Sequence, residues 1–192
     1  MILSVIDALK QRLPETFAGR ISGAAEFALL DPAAKMDLPA AYVIPLDDRA
    51  EANESSNGYQ QLIRDAFGVV VVLDNAVDEK GNASILNIIP LRNKLFAALL
   101  SWQPDEDHGP IEYEGGQTLD IDRARFYYQF EFSAQTEITE ADTYQAIVNA
   151  GLGPFETLHI DIDMISPHNT NLGSTGPDGT IDAALTIDVP QT

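Results

Sequence analysis

The stretch RFYYQFEFS, residues 125–133, alternates with a period of two. Phe126, Tyr128, Phe130 and Phe132 fall on one face, and Arg125, Tyr127, Gln129, Glu131 and Ser133 on the other. Only an extended strand sends successive side chains to opposite faces, so this segment is a strand whose aromatic row needs a cover. A second segment, YQQLIRDAFGVVVVLDN (59–75), reads as one long strand. Its GVVVVL half is apolar at every position, which places it in the interior of a sheet, buried on both faces. Two such strands commit the chain to a sheet with helices laid on it.

The cover comes from two amphipathic stretches. In residues 2–13, Ile2, Val5, Ile6, Leu9 and Leu13 share one helical face opposite Asp7, Lys10 and Gln11, and Pro14 ends the pattern. The second helix begins near Leu86, which tolerates Pro90 only in its first turn. It continues through RNKLFAALLSWQPDE (92–106), where Leu91, Leu95, Phe96, Leu99 and Trp102 recur at spacings of three and four. Arg92, Asn93 and Lys94 face away, and Pro104 stops the helix. Trp102, the single tryptophan, is expected to anchor this helix on the sheet.

Other strands are weaker. GRISGAAEFALL (19–30) reads as a poor strand, and AAYVIPL (40–46) as a better one whose Pro45 marks an edge or an end. Between Asp47 and Tyr59 the polar, acidic sequence is read as a loop, long enough to expect a function for it. AVDEKGN (76–82) follows as a second loop, reversing at Lys80-Gly81-Asn82. IEYEG and GQTLDID supply further extended segments before the aromatic strand.

A composition shift begins at Thr139: from there to Thr192 there are eight acidic residues and no Lys or Arg. ETLHIDIDMIS and GTIDAALTIDV alternate like strands around the loop PHNTNLGSTGPDG, a C-terminal β-hairpin with a long tip. Its Leu158, Ile160, Ile162 and Met164 are expected to form a buried face. The fold class is therefore α+β: a mixed or antiparallel sheet flanked by two main helices, with a C-terminal β-hairpin extension. The organisation is a domain at 1–138 and an acidic extension at 139–192.

Charge narrows the function. Thirty acidic against eleven basic residues give −19, too little positive charge to grip nucleic-acid phosphates. There is no cysteine, so no disulfide or thiolate metal site arises from these residues. The N-terminus lacks a basic region before its apolar residues, and the longest apolar run falls far short of the roughly 20 residues that span a bilayer. The expectation is a soluble protein with no membrane partner.

Catalytic and metal patterns fail on inspection. His159, Asp161 and Asp163 share a strand face, a geometry open to a metal, yet they also form the simple polar reverse of an apolar face. DNAVDEKGN has Ala76 where an EF-hand loop needs a ligand, and NLGSTGPDG lacks the lysine of a phosphate loop. His108, His159 and His168 stand in no nucleophile–base spacing, and Asp105, Glu106 and Asp107 read as a solvated charge cluster. No catalytic, cofactor-binding or metal residue is expected, and no cofactor.

The order of these elements resembles the tail terminator proteins of long-tailed bacteriophages. The likeness runs through PAAYV, the acidic loop, the FGVVVV strand, the helix ending in ALLSWQP (98–104) and the strand YYQFEF, over roughly residues 1–138. The resemblance implies an assembly role without catalysis, in a virion component at the head–tail joint made in the host bacterial cytoplasm. It also implies a homo-hexameric ring that caps the tail tube protein, stops its polymerisation and meets the head–tail connector. Six copies at −19 each carry −114, a lumen that genomic DNA passes without being held. Two other readings are another neck or tail-completion protein, and a small-molecule or metal-binding β-rich module.

Overall fold

The computed structural model describes residues 1–29, 36–75, 82–122, 124–163, 179 and 181–189. The chain divides into two compact units, Met1–Thr143 and Tyr144–Thr192.

In the first unit the two long strands pair as their sequences demand. β4 (Gln60–Asp74) and β6 (Arg125–Thr139) lie antiparallel from Gln60↔Thr139 to Asp74↔Arg125. β2 (Ala40–Pro45) flanks β4, β1 (Ile21–Gly23) lies parallel beside β2, and β5 (Glu112–Ile121) closes the other side, giving the order β1-β2-β4-β6-β5. β2 is thus an inner strand, and Pro45 sits at its end, where a missing N–H costs no ladder bond.

Period-two alternation sorts the side chains into two cores. On one face Phe67, Val69, Val71 and Leu73 of β4 meet Phe126, Phe130 and Phe132 of β6. Phe67 and Phe132 stack with centroids 5.6 Å apart. This face is covered by α1 (Ile2–Arg12) through Val5, Ile6 and Leu9, and by α4 (Asn82–Leu99) through Leu91, Leu95 and Leu99. Each such side chain, fully buried, stabilises the fold by roughly 1.5–3 kcal/mol. On the reverse face Val70 and Val72 pack with Ala40 and Tyr42 beneath Phe27, Met36 and Leu38.

Several expectations need correction. Only Ile21–Gly23 of the expected strand 19–30 is extended; α3 (Ala24–Ala28) follows, because Ala-Ala-Glu-Phe-Ala is a strong helix former once Gly23 has ended the strand. A short helix α2 (Pro14–Phe17) starts at the very proline that ends α1, proline being suited to a first helical position. α4 begins at Asn82 rather than near Leu86, so Pro90 lies inside it, on the exposed side. α4 also stops at Leu99, short of Trp102: Ser101 takes a positive φ of 60°, and Trp102 sits in the turn beyond. The segment 47–58 is not all loop, since β3 (Arg49–Ala50) pairs with Arg64 and Ile63. β4 outruns β2 at this end, and its vacant edge recruits the nearest backbone. IEYEG and GQTLDID form one strand, β5, with two register shifts. The reversal at 80–82 lies outside the described residues up to Gly81, and Asn82 is already helical.

The second unit is α5 (Tyr144–Ala150) and the antiparallel pair β7 (Thr157–Ile162) and β8 (Ala183–Asp188). The hairpin is as expected, but its apolar face is not buried. Leu158, Ile160 and Ile162 are 40%, 37% and 41% exposed, because two strands and a short helix cannot enclose a core. Met164 and the tip 167–178 lie outside the described residues.

Candidate assembly surfaces

Among the described residues no strand pairs with the outer side of β1 or of β5. β1 offers three residues, whereas β5 offers ten and carries exposed Leu119 and Ile121. An open strand is a template for pairing with another chain unless twisted away, and the two register shifts of β5 supply such twist. Gly116 lets β5 pass close to its neighbour: a Cβ there would stand 2.8 Å from the Tyr128 hydroxyl and 3.0 Å from that of Tyr113.

The end of the sheet where β4 begins is dense in carboxylates. Arg64 reaches Glu112 at 3.1 Å and Glu114 at 2.8 Å, and Ser133 donates to Glu114 at 2.6 Å. The Ser133 hydroxyl, then Arg64, hold the Glu114 carboxyl below its ordinary range. Close by, Thr136 donates to Asp65 at 2.8 Å, and His108 stands between Asp65 and Asp105. Asp105 also takes the Met1 amino group at 2.7 Å, and that bond, with help from His108, lowers its pKa to about 2. Glu106, Glu137 and Asp142 line the depression beside them. The tip 105–107 is therefore solvated only in part, since Asp105 is tied into the fold.

The opposite end of β4 is different. Lys94 lies with Leu73, Asp74 and Pro90 along a cleft of about 420 Å3. Lys94 donates to Thr16 at 3.2 Å and shares a second depression with Arg12, Leu13 and Pro14. The helical layer also leaves Leu3 and Ile89 exposed, at 76% and 59%.

The sites weighed in the sequence are dispersed. His159 Nε2 is 2.9 Å from Asp161 and its Nδ1 is 2.8 Å from Thr186, whereas Asp163 lies past the end of β7 and accepts from the Gly179 amide. Among the described residues no group of three or more His, Cys, Asp or Glu is arranged to hold a metal ion. His168 and most of NLGSTGPDG lie outside the described residues. The grouping of His108 with Asp65 and Asp105 escaped sequence reasoning, because Asp65 lies more than forty positions away and no local pattern joins them.

A family model described as phage tail terminator protein matches residues 3–143. The chain belongs to that family. The match ends at Thr143, where the first compact unit also ends. Membership makes the protein a structural component of a phage tail, in a family of structural proteins rather than enzymes. No curated protein matches the chain. Among the described residues of the terminator and its extension, no helix is long and apolar enough to cross a membrane.

Proposed function

We propose that this terminator caps the tail tube as a homo-hexameric ring at the head–tail joint of the virion, ends polymerisation of the tube protein and presents its far face to the head–tail connector. The observation that carries the reading is the family match over residues 3–143. The open edges at β1 and β5 support assembly from neighbouring copies, because a head-to-tail contact that closes on itself makes a ring. The net charge of −19 supports a lumen that repels phosphate and lets the genomic DNA slide through.

The test is tube assembly with and without the protein. The purified tube protein, polymerised on its initiator, should give tubes of fixed length only when the terminator is present, with a six-fold ring at one end by electron microscopy. Tubes of unchanged length distribution and bare ends would overturn the reading.

A further inference from the structure

The tip 105–108 between α4 and β5 belongs to no helix or strand, yet it lies against the sheet. His108 forms an isolated antiparallel bridge with Thr136, and the Gly109 amide donates to the Gln135 carbonyl at 2.7 Å. The tip therefore covers the outer side of β6 beyond the reach of β5, which begins at Glu112 opposite Ser133.

The side chain of His108 ties this tip to two further elements. Its Nδ1 donates to Asp105 Oδ1 at 2.5 Å, and its Nε2 stands 3.4 Å from Asp65 Oδ2 on β4. The ring is only 16% exposed. Asp65 Oδ2 also accepts from Thr136 on β6 at 2.8 Å, and Asp105 Oδ2 takes the Met1 amino group, ahead of α1, at 2.7 Å. Glu106, Asp107, Glu137 and Asp142 line the same depression.

Ring chemistry turns this geometry into a count of protons. A neutral imidazole has one N–H, and a carboxylate oxygen only accepts. With Nδ1 donating to Asp105, a neutral ring turns the lone pair of Nε2 toward Asp65, acceptor against acceptor. The imidazolium donates from both nitrogens and meets negative charge on both sides. Asp105 keeps its charge while the ring titrates, because the Met1 amino group, with help from His108, lowers its pKa to about 2. His159 makes the contrast. One of its nitrogens faces Asp161, but the other faces the Thr186 hydroxyl, which donates or accepts as the ring requires.

We propose that protonated His108 latches the tip across β4 and over the outer side of β6, and that loss of its proton releases the tip and bares the Gln135–Glu137 edge. The sign follows from the count of protons. The closed tip calls for a proton that the open tip does not need, so the latch holds at low pH and loosens as pH rises. A strand edge bared in this way is a template for pairing with another chain.

NMR of the full chain between about pH 5 and 9 tests it, reading the His108 ring shifts together with the protection factor of the Gly109 amide. Wild type should lose roughly fivefold in protection, the scale of one partly screened charged contact, at the midpoint where the His108 ring titrates. Asp65→Asn should stay protected across the range, because the side-chain amide it introduces donates to a neutral Nε2. His108→Gln should show no step. Protection that stays flat while the ring titrates overturns the latch, as does a ring that holds one charge state throughout. A step that persists in His108→Gln also overturns it and assigns the opening to the Met1 amine.

Discussion

The guanidinium of Arg12 lies over the indole ring of Trp102, 4.3 Å from its centroid. Arg12 also donates to the Ala98 carbonyl, so it joins the end of α1 to the last turn of α4 and to the turn beyond it. Trp102 is thus a half-buried anchor held by a cation and by the core below, not a wedge between helix and sheet. Burial of a full Trp is worth about 3–5 kcal/mol against Ala, and partial burial lowers the expectation for Trp102→Ala to about 2–3 kcal/mol. Arg12→Ala should cost about 1 kcal/mol, and the double variant less than the sum, since the two act on one contact. Denaturant melts of the three variants measure this; strict additivity would mean that the stacking contributes nothing.

Edge strand β5 supplies an internal control in adjacent glycines. A Cβ on Gly115 meets nothing within 4 Å, whereas one on Gly116 meets the Tyr128 ring and two tyrosine hydroxyls at 2.8–3.0 Å. Gly116→Ala should therefore destabilise by about 1–3 kcal/mol through overpacking, and Gly115→Ala by less than about 0.5 kcal/mol. Melting of the pair side by side decides it. Equal losses would place the cost in the backbone of β5 rather than in the crowding over Gly116.

Much of this fold was legible because it is written locally. Phe126 to Phe132 show their burial in their period, Val69 to Val72 in an unbroken apolar run, and Leu91, Leu95 and Leu99 in helical spacing. What was hidden depends on partners remote in sequence. β3 exists because β4 is longer than β2, and neither length is visible at Arg49. α3 follows a strand without a change of hydrophobic period, so Ala24–Ala28 gave no signal beyond propensity. The alternation of Leu158, Ile160 and Ile162 correctly announced an apolar face, but alternation is silent on what covers it.

Glu114 gives the acid limb of stability an identifiable source. Its folded pKa is depressed by Ser133 and Arg64, so it contributes stability that is complete above the ordinary value of 4.5 and is lost as pH falls through the lower, folded value. Glu114→Gln should flatten the pH dependence of the melting temperature below 4.5 while leaving its slope at neutral pH unchanged. Carboxyl titration by NMR should place the Glu114 midpoint below 4.5. A midpoint at or above 4.5 would mean that the Ser133 and Arg64 bonds do not persist in solution.

Asn53 organises the polar segment between β3 and β4. Its side-chain oxygen accepts from the Ser55 amide at 3.1 Å and the Gln60 amide at 3.0 Å, and its amide donates to the Gly58 carbonyl at 3.3 Å. These bonds shape an exposed reversal that no apolar side chain holds, so they belong to local rather than global stability. Asn53→Ala should speed hydrogen exchange at Ser55 and Gln60 while lowering the unfolding free energy by less than about 0.5 kcal/mol. A loop that serves assembly and not folding should then show its loss in the tube-length assay, as a broadened distribution at unchanged melting temperature. A global loss above about 1 kcal/mol would instead make the reversal part of the folding core, with Asn53 pinning the start of β4 in register against Thr139.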